Sequence, residues 1–138
     1  MKICTFFGHR DCGEAVVPAL RKTVIACLQK GVTDFYVGHE GQFDALALAC
    51  LRQLSVEYPH MRYAVVLAYV PTVPLDFSDP TLLPDGIERV PRRFAIAHRN
   101  RWMIDRADCV IAYVTHSFGG AAACARRAER LGKQVIYL

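Results

Sequence analysis

Residues 63–70, YAVVLAYV, and residues 109–114, CVIAYV, decide the fold. Both runs are apolar at almost every position and rich in β-branched and aromatic side chains. An alternating pattern would leave one face of a strand to water, whereas a continuous one asks for cover on both faces. Helices supply that cover, and strands sandwiched between helix layers are characteristically parallel.

Outward from these runs the apolar period switches between two and about 3.6. Residues 2–7 read as a strand stopped by Gly8. From Glu14 to Lys30, the residues Val17, Leu20, Val24, Cys27 and Leu28 recur at helical spacing, with Pro18 tolerated only in the first turn and Gly31 as a stop. A strand over 33–37 ends at Gly38. Phe43, Leu46, Ala47, Cys50, Leu51, Leu54 and Tyr58 then mark a helix that Pro59 closes. Helices over 92–107 and 120–131 flank the CVIAYV strand, and 135–138 is a last strand. This alternation predicts a Rossmann-like α/β three-layer sandwich with a mostly parallel sheet of about five strands. The proline-rich residues 71–91 are expected as an irregular loop insertion, a lid or a partner contact.

A chain of 138 residues is one domain's worth, so 1–138 reads as a single unit. A net charge of +4 is too mild to argue nucleic-acid binding. No apolar run is long enough to span a membrane and the N-terminus lacks the form of a signal peptide, which gives a cytoplasmic expectation. The six cysteines contain no CxxC pair and no zinc spacing, so reduced core thiols and no metal are expected. Cys12 stands apart because it falls in a loop.

In a sheet of this kind ligands bind beyond the carboxyl ends of the strands. Three loops lie there: Gly8-His9-Arg10, Gly38-His39-Glu40-Gly41-Gln42-Phe43-Asp44, and Thr115-His116-Ser117-Phe118-Gly119-Gly120. Gly41 and Gly119-Gly120 precede helices, where free N–H groups and the helix dipole favour an anion. Arg10 adds a guanidinium suited to phosphate. A phosphate-bearing small molecule is the inference. The chain has no Gly-x-Gly-x-x-Gly, no Walker pattern and no nucleophile elbow, so the usual dinucleotide, P-loop and serine-hydrolase readings lose their basis. His9, His39 and His116 share the same edge but sit on separate loops, which favours hydrogen bonding over metal ligation.

The pieces TFFGHRDC, FYVGHEGQFDALA, HRNRWMIDRADCVIAYV and SFGGAAACARRAERLGKQVIYL resemble the SLOG superfamily, Rossmann-like domains related to DprA and the LOG phosphoribohydrolases. The match is nearest to the small standalone YpsA-like members and covers the chain outside 71–91. The resemblance implies binding of a nucleotide or nucleotide-sugar derivative such as ADP-ribose, with no further cofactor. By position, Gly8, His9 and Arg10 would line the base or ribose side. Gly38, Gly41 and Asp44 would border the ribose, and Gly119 with Gly120 would hold phosphate. His39, Thr115 and Ser117 complete the candidate set. Arg99 and Asn100 match the Arg-Lys that LOG enzymes place beside substrate, though they also read as helix surface beside Arg101 and Arg106. LOG enzymes carry Pro-Gly-Gly-x-Gly-Thr-x-x-Glu; here Arg126 stands at the carboxylate's place, which weakens LOG-type hydrolysis.

Glycosidic cleavage needs a carboxylate beside the ribose. Glu40 and Asp44, helped by Arg10, are the catalytic candidates; Glu40 also reads as a solvated loop charge and Asp44 as a first-turn helix residue. The favoured expectation is a module that senses or sequesters a nucleotide-derived small molecule, against a nucleotide N-glycosidase or an oligomeric scaffold. Apolar surface around Trp102 and 71–91 suggests a homodimer, and neither nucleic acid nor membrane is expected as a partner.

Overall fold

Continuous apolar strands do lie between two helix layers. The computed structural model describes residues 1–138. Strands β1 (Ile3–Gly8), β2 (Asp34–Val37), β3 (Arg62–Val66), β4 (Thr81–Leu82), β5 (Cys109–Tyr113) and β6 (Gln134–Tyr137) form one wholly parallel sheet in the order β4-β3-β2-β1-β5-β6. Helices α1 (Val17–Gln29) and α2 (Gly41–Glu57) cover one face; α3 (Arg92–Arg106) and α4 (Gly120–Arg130) cover the other.

The pleat distributes neighbours to opposite cores. Phe6 joins the layer with Leu20, Val24, Phe43 and Leu51, whereas Phe7 joins the layer with Met103, Ile104, Cys124 and Ala128. Ile111 and Val110 divide the same way. Each fully buried Val, Leu, Ile, Phe or Met among them contributes roughly 1.5–3 kcal/mol of transfer free energy, and the double cover explains why the runs are apolar throughout.

From β1 the chain steps outward through β2 and β3 to β4, then crosses back to place β5 on the other side of β1. The winding reverses between β1 and β5, so the switch point lies there. The His9 N–H donates to the Tyr113 carbonyl at 3.3 Å across this point.

Some expectations are corrected. The sheet has six strands, because Thr81–Leu82 inside the supposedly irregular segment pairs with Val65 and Val66. The third strand ends at Val66 and not at residue 70; the Leu67 N–H still reaches the Leu82 carbonyl at 2.9 Å before the chain turns away. Residues 71–80 are tied back by Asp79, which accepts from Arg52 Nε at 2.9 Å and from the Tyr63 hydroxyl at 2.7 Å. Arg52 holds the Asp79 carboxyl below its usual range, while burial and the carboxylate push the Tyr63 phenol up to about 12. The first helix is entered by a 3-10 turn over Glu14–Val16, and Pro18 occupies its first turn as expected. Cys12 is no exception among the thiols: all six are free and buried, and Cys12 packs into the core because its loop lies on the start of α2. Trp102 is half-buried, stacked on Tyr36 and covered by the Arg106 guanidinium 4.0 Å from its ring centre. The 71–91 part of the expected apolar surface is present, since Val73, Leu75, Leu82 and Leu83 are exposed there, with Val70 and Phe94 beside them. No helix is long and apolar enough to cross a membrane.

Candidate ligand-binding site

At the carboxyl edge, a cavity of about 420 Å³ opens between the end of β1, α3 and the first turn of α4. Gly8, His9 and Arg10 line it from β1, Glu40 and Asp44 from the start of α2, Arg99 and Asn100 from α3, and Gly119 with Gly120 from α4. The candidate residues do not all meet there. Gly38, His39 and Gly41 face a second cavity of about 380 Å³, which shares Asp44 with the first. Thr115 and Ser117 serve the loop itself: the Thr115 N–H donates to His9 Nε2 at 2.8 Å, and the Ser117 carbonyl accepts from Arg126 Nη1 at 2.9 Å.

Arg99 is not helix surface, being only 2% exposed. Its Nη1 donates to the Val66 carbonyl at 2.8 Å, its Nε to Asn100 Oδ1 at 2.9 Å, and its Nη2 to Glu40. A buried guanidinium is tolerated only when its donors and charge are answered, and here the end of β3 and the β2–α2 loop answer them. Glu40 is therefore no free loop charge: Oε2 takes Arg99 and also the His39 N–H at 3.2 Å. Gly38 permits the packing, since a Cβ there would fall 2.8 Å from Asp44 Oδ2 and 3.1 Å from Arg99 Cζ.

Asp44 acts as a helix-start residue that also borders the cavity. Its Oδ2 accepts the Glu40 N–H at 3.0 Å. Burial pushes its carboxyl up to about 6, with the Glu40 charge adding to the rise; that N–H, Arg99 and Arg10 pull the other way.

The two glycine-led helix starts differ. Gly41 has φ +84°, and a Cβ there would fall 2.6 Å from the Arg10 Cα. The Gln42 N–H donates to the Arg10 carbonyl at 2.8 Å, so protein already occupies this helix start. Around Gly120 there is open space, and no side chain caps α4. The first-turn N–H groups of a helix have no intrahelical acceptor, and those of α4 border the cavity.

Three rings close the switch point. His9 stacks on His116 with centroids 3.6 Å apart, and His116 stacks on Phe118 at 3.8 Å. Burial, then the His116 charge, hold the His9 pKa below its ordinary value, in keeping with a lone pair on Nε2 that accepts from Thr115. Nδ1 of His116 is buried without a hydrogen-bond partner, and Phe118 is 69% exposed at the end of the stack. Sequence reasoning missed this stack and the Arg99–Glu40 pair, because each joins residues far apart in the chain. Alternation of His116 with Phe118 after a buried strand was the available signal for the stack.

Taken together, the cavity offers an unfilled helix N-terminus, an exposed guanidinium at Arg10, the stacked imidazoles of His9 and His116 and a protonatable carboxyl. Compared with known proteins, the chain matches no family model and no curated sequence.

Proposed function

We propose that the crevice binds a nucleotide or nucleotide-sugar derivative of the ADP-ribose kind, as a sensing or sequestering module. The observation that carries this reading is the uncapped start of α4 opening on the cavity beside Arg10. Phosphate suits that position, because the N–H groups and the helix dipole both favour an anion. The Phe118 ring lies outside the cavity lining but stacks on His116, which does line it, and offers an exposed apolar face for a base that reaches past the rim; the unpartnered His116 Nδ1 has hydrogen-bonding capacity to spare. The sequence resemblance to SLOG proteins points the same way. A cytoplasmic setting is supported by six cysteines that are all free. Self-association through the exposed apolar residues of the 70–94 region belongs to the same proposal.

A hydrolytic reading draws on one feature, the Asp44 carboxyl that keeps its proton to about pH 6 and borders the cavity. Such a group suits general acid work. Against it, Glu40 is committed to Arg99, and Arg126 binds the Ser117 carbonyl where the LOG enzymes carry their glutamate.

Thermal shift with AMP, ADP, NAD, ADP-ribose and cyclic ADP-ribose tests the proposal. A ligand at about a hundred times its dissociation constant adds about 2.7 kcal/mol, and Gly120→Asp should abolish the shift. Ligand recovered intact after incubation supports the binding module, free base supports the hydrolase, and no shift with any of the five rejects both.

A further inference from the structure

The opposite edge of the sheet holds a second cluster that neither the crevice nor its loops involve. Cys4 lies near the amino end of β1, Cys109 opens β5 beside it in register, and Cys27 comes down from the last turns of α1. Their three sulfur atoms all lie within 4.8 Å of one another, and all three residues are buried. Nothing in the spacing of the chain announces this, since each thiol comes from a different element.

We propose that Cys4, Cys27 and Cys109 form a three-thiolate site for a soft d10 cation, Zn(II) or Cu(I). Three sulfurs about 2.3 Å from one cation stand about 4 Å apart, so small side-chain adjustments suffice to bring the trio into ligation. Soft thiolates select such cations over harder ones. Cys27 and Cys109 also line a cavity of about 490 Å³ together with Lys2, Lys22 and Lys30, which gives the ion an entry path and room for one exogenous ligand. Ligation releases three thiol protons, leaving one net negative charge with Zn(II) and two with Cu(I). The three ammonium groups at the cavity answer that charge.

The test is a titration of the reduced 138-residue protein with Cd(II), read by thiolate-to-metal charge-transfer absorbance. Parallel arms use Zn(II) and Cu(I) in competition with colorimetric chelators. The expected result is a band saturating at one equivalent, kept in Cys50→Ala and lost in both Cys27→Ala and Cys109→Ser. X-ray absorption on the metal-loaded wild type should count three sulfurs, a reading that holds even if a variant fails to fold. The Zn(II) and Cu(I) arms then show which ion the site retains. Absence of a one-equivalent band, fewer than three sulfurs, or a band that survives in folded Cys27→Ala would overturn the proposal. So would a disulfide within the trio in the freshly isolated protein.

Discussion

Helices α2 and α4 both enter from a glycine with positive φ that closely follows a buried strand, +84° at Gly41 and +91° at Gly119. Read as sequence, the two are equivalent anion sites. In the folded chain the start of α2 is occupied by protein: the Arg10 backbone lies against Gly41, Asp44 takes the Glu40 N–H, and Glu40 is held by Arg99. The start of α4 faces open space. A glycine before a helix therefore reports how the chain enters the helix; whether a ligand fits depends on what the rest of the fold has already put there.

The sharpest attack on this contrast is Arg99→Ala. It strips Glu40 and the Val66 carbonyl of their partner and should cost about 3–5 kcal/mol in urea unfolding. A loss below about 1 kcal/mol would mean that the α2 start is not held together as described. Next comes Gly41→Ala, with a strained φ and a backbone clash, expected to cost about 2–3 kcal/mol. Gly120→Ala at the open helix start should stay within about 0.5 kcal/mol of wild type. Equal costs for these two glycines would erase the distinction.

Asp44→Asn sharpens the comparison through pH. The folded carboxyl titrates near 6 and its ordinary value is 3.8, so between these limits the folded state keeps a proton that the unfolded state has lost. Wild-type stability must fall through this window as pH rises. The variant lacks that fall and should gain on wild type between about pH 4 and 6, then run parallel above it. Urea midpoints at half-unit steps would show the ramp; parallel profiles throughout would mean that Asp44 is more hydrated than its surroundings imply. The smallest effect on stability belongs to Gly120→Asp, within about 0.5 kcal/mol because an acidic first turn suits the helix dipole. Loss of the nucleotide-induced shift in that variant is then a loss of binding and not of fold.

What the sequence made legible follows from which forces act locally. The runs at 63–70 and 109–114 are apolar throughout, so the sandwich could be read directly, although the strands within them end at Val66 and Tyr113. Thr81–Leu82 could not, since two exposed residues carry no period and owe their strand form to pairing with β3. Gly8, His9, Arg10, Asp44, Gly119 and Gly120 were placed together by one general rule about strand ends, and they do share the cavity. Arg99 was half legible: the resemblance to the LOG enzymes suggested a site there while its helix neighbours suggested surface, and its burial is set by the Val66 carbonyl and Glu40, both remote in sequence. The ring stack of His9, His116 and Phe118 and the cysteine trio are hidden for the same reason.

The central place of β1 has a consequence for the order in which a growing chain can finish folding. Cys4 pairs in register with Cys109, and the end of β1 meets Tyr113. A chain emerging from the ribosome can assemble β1, β2 and β3 with α1 and α2 early. One side of β1 then stays an open edge until more than a hundred residues have been made, a template for pairing with foreign strands. The crevice at the carboxyl end of β1 and the thiol cluster at its amino end both need that late pairing. A chain stalled before β5 would therefore hold four of the six strands with neither site complete, and the steps most exposed to aggregation are the ones that finish both sites.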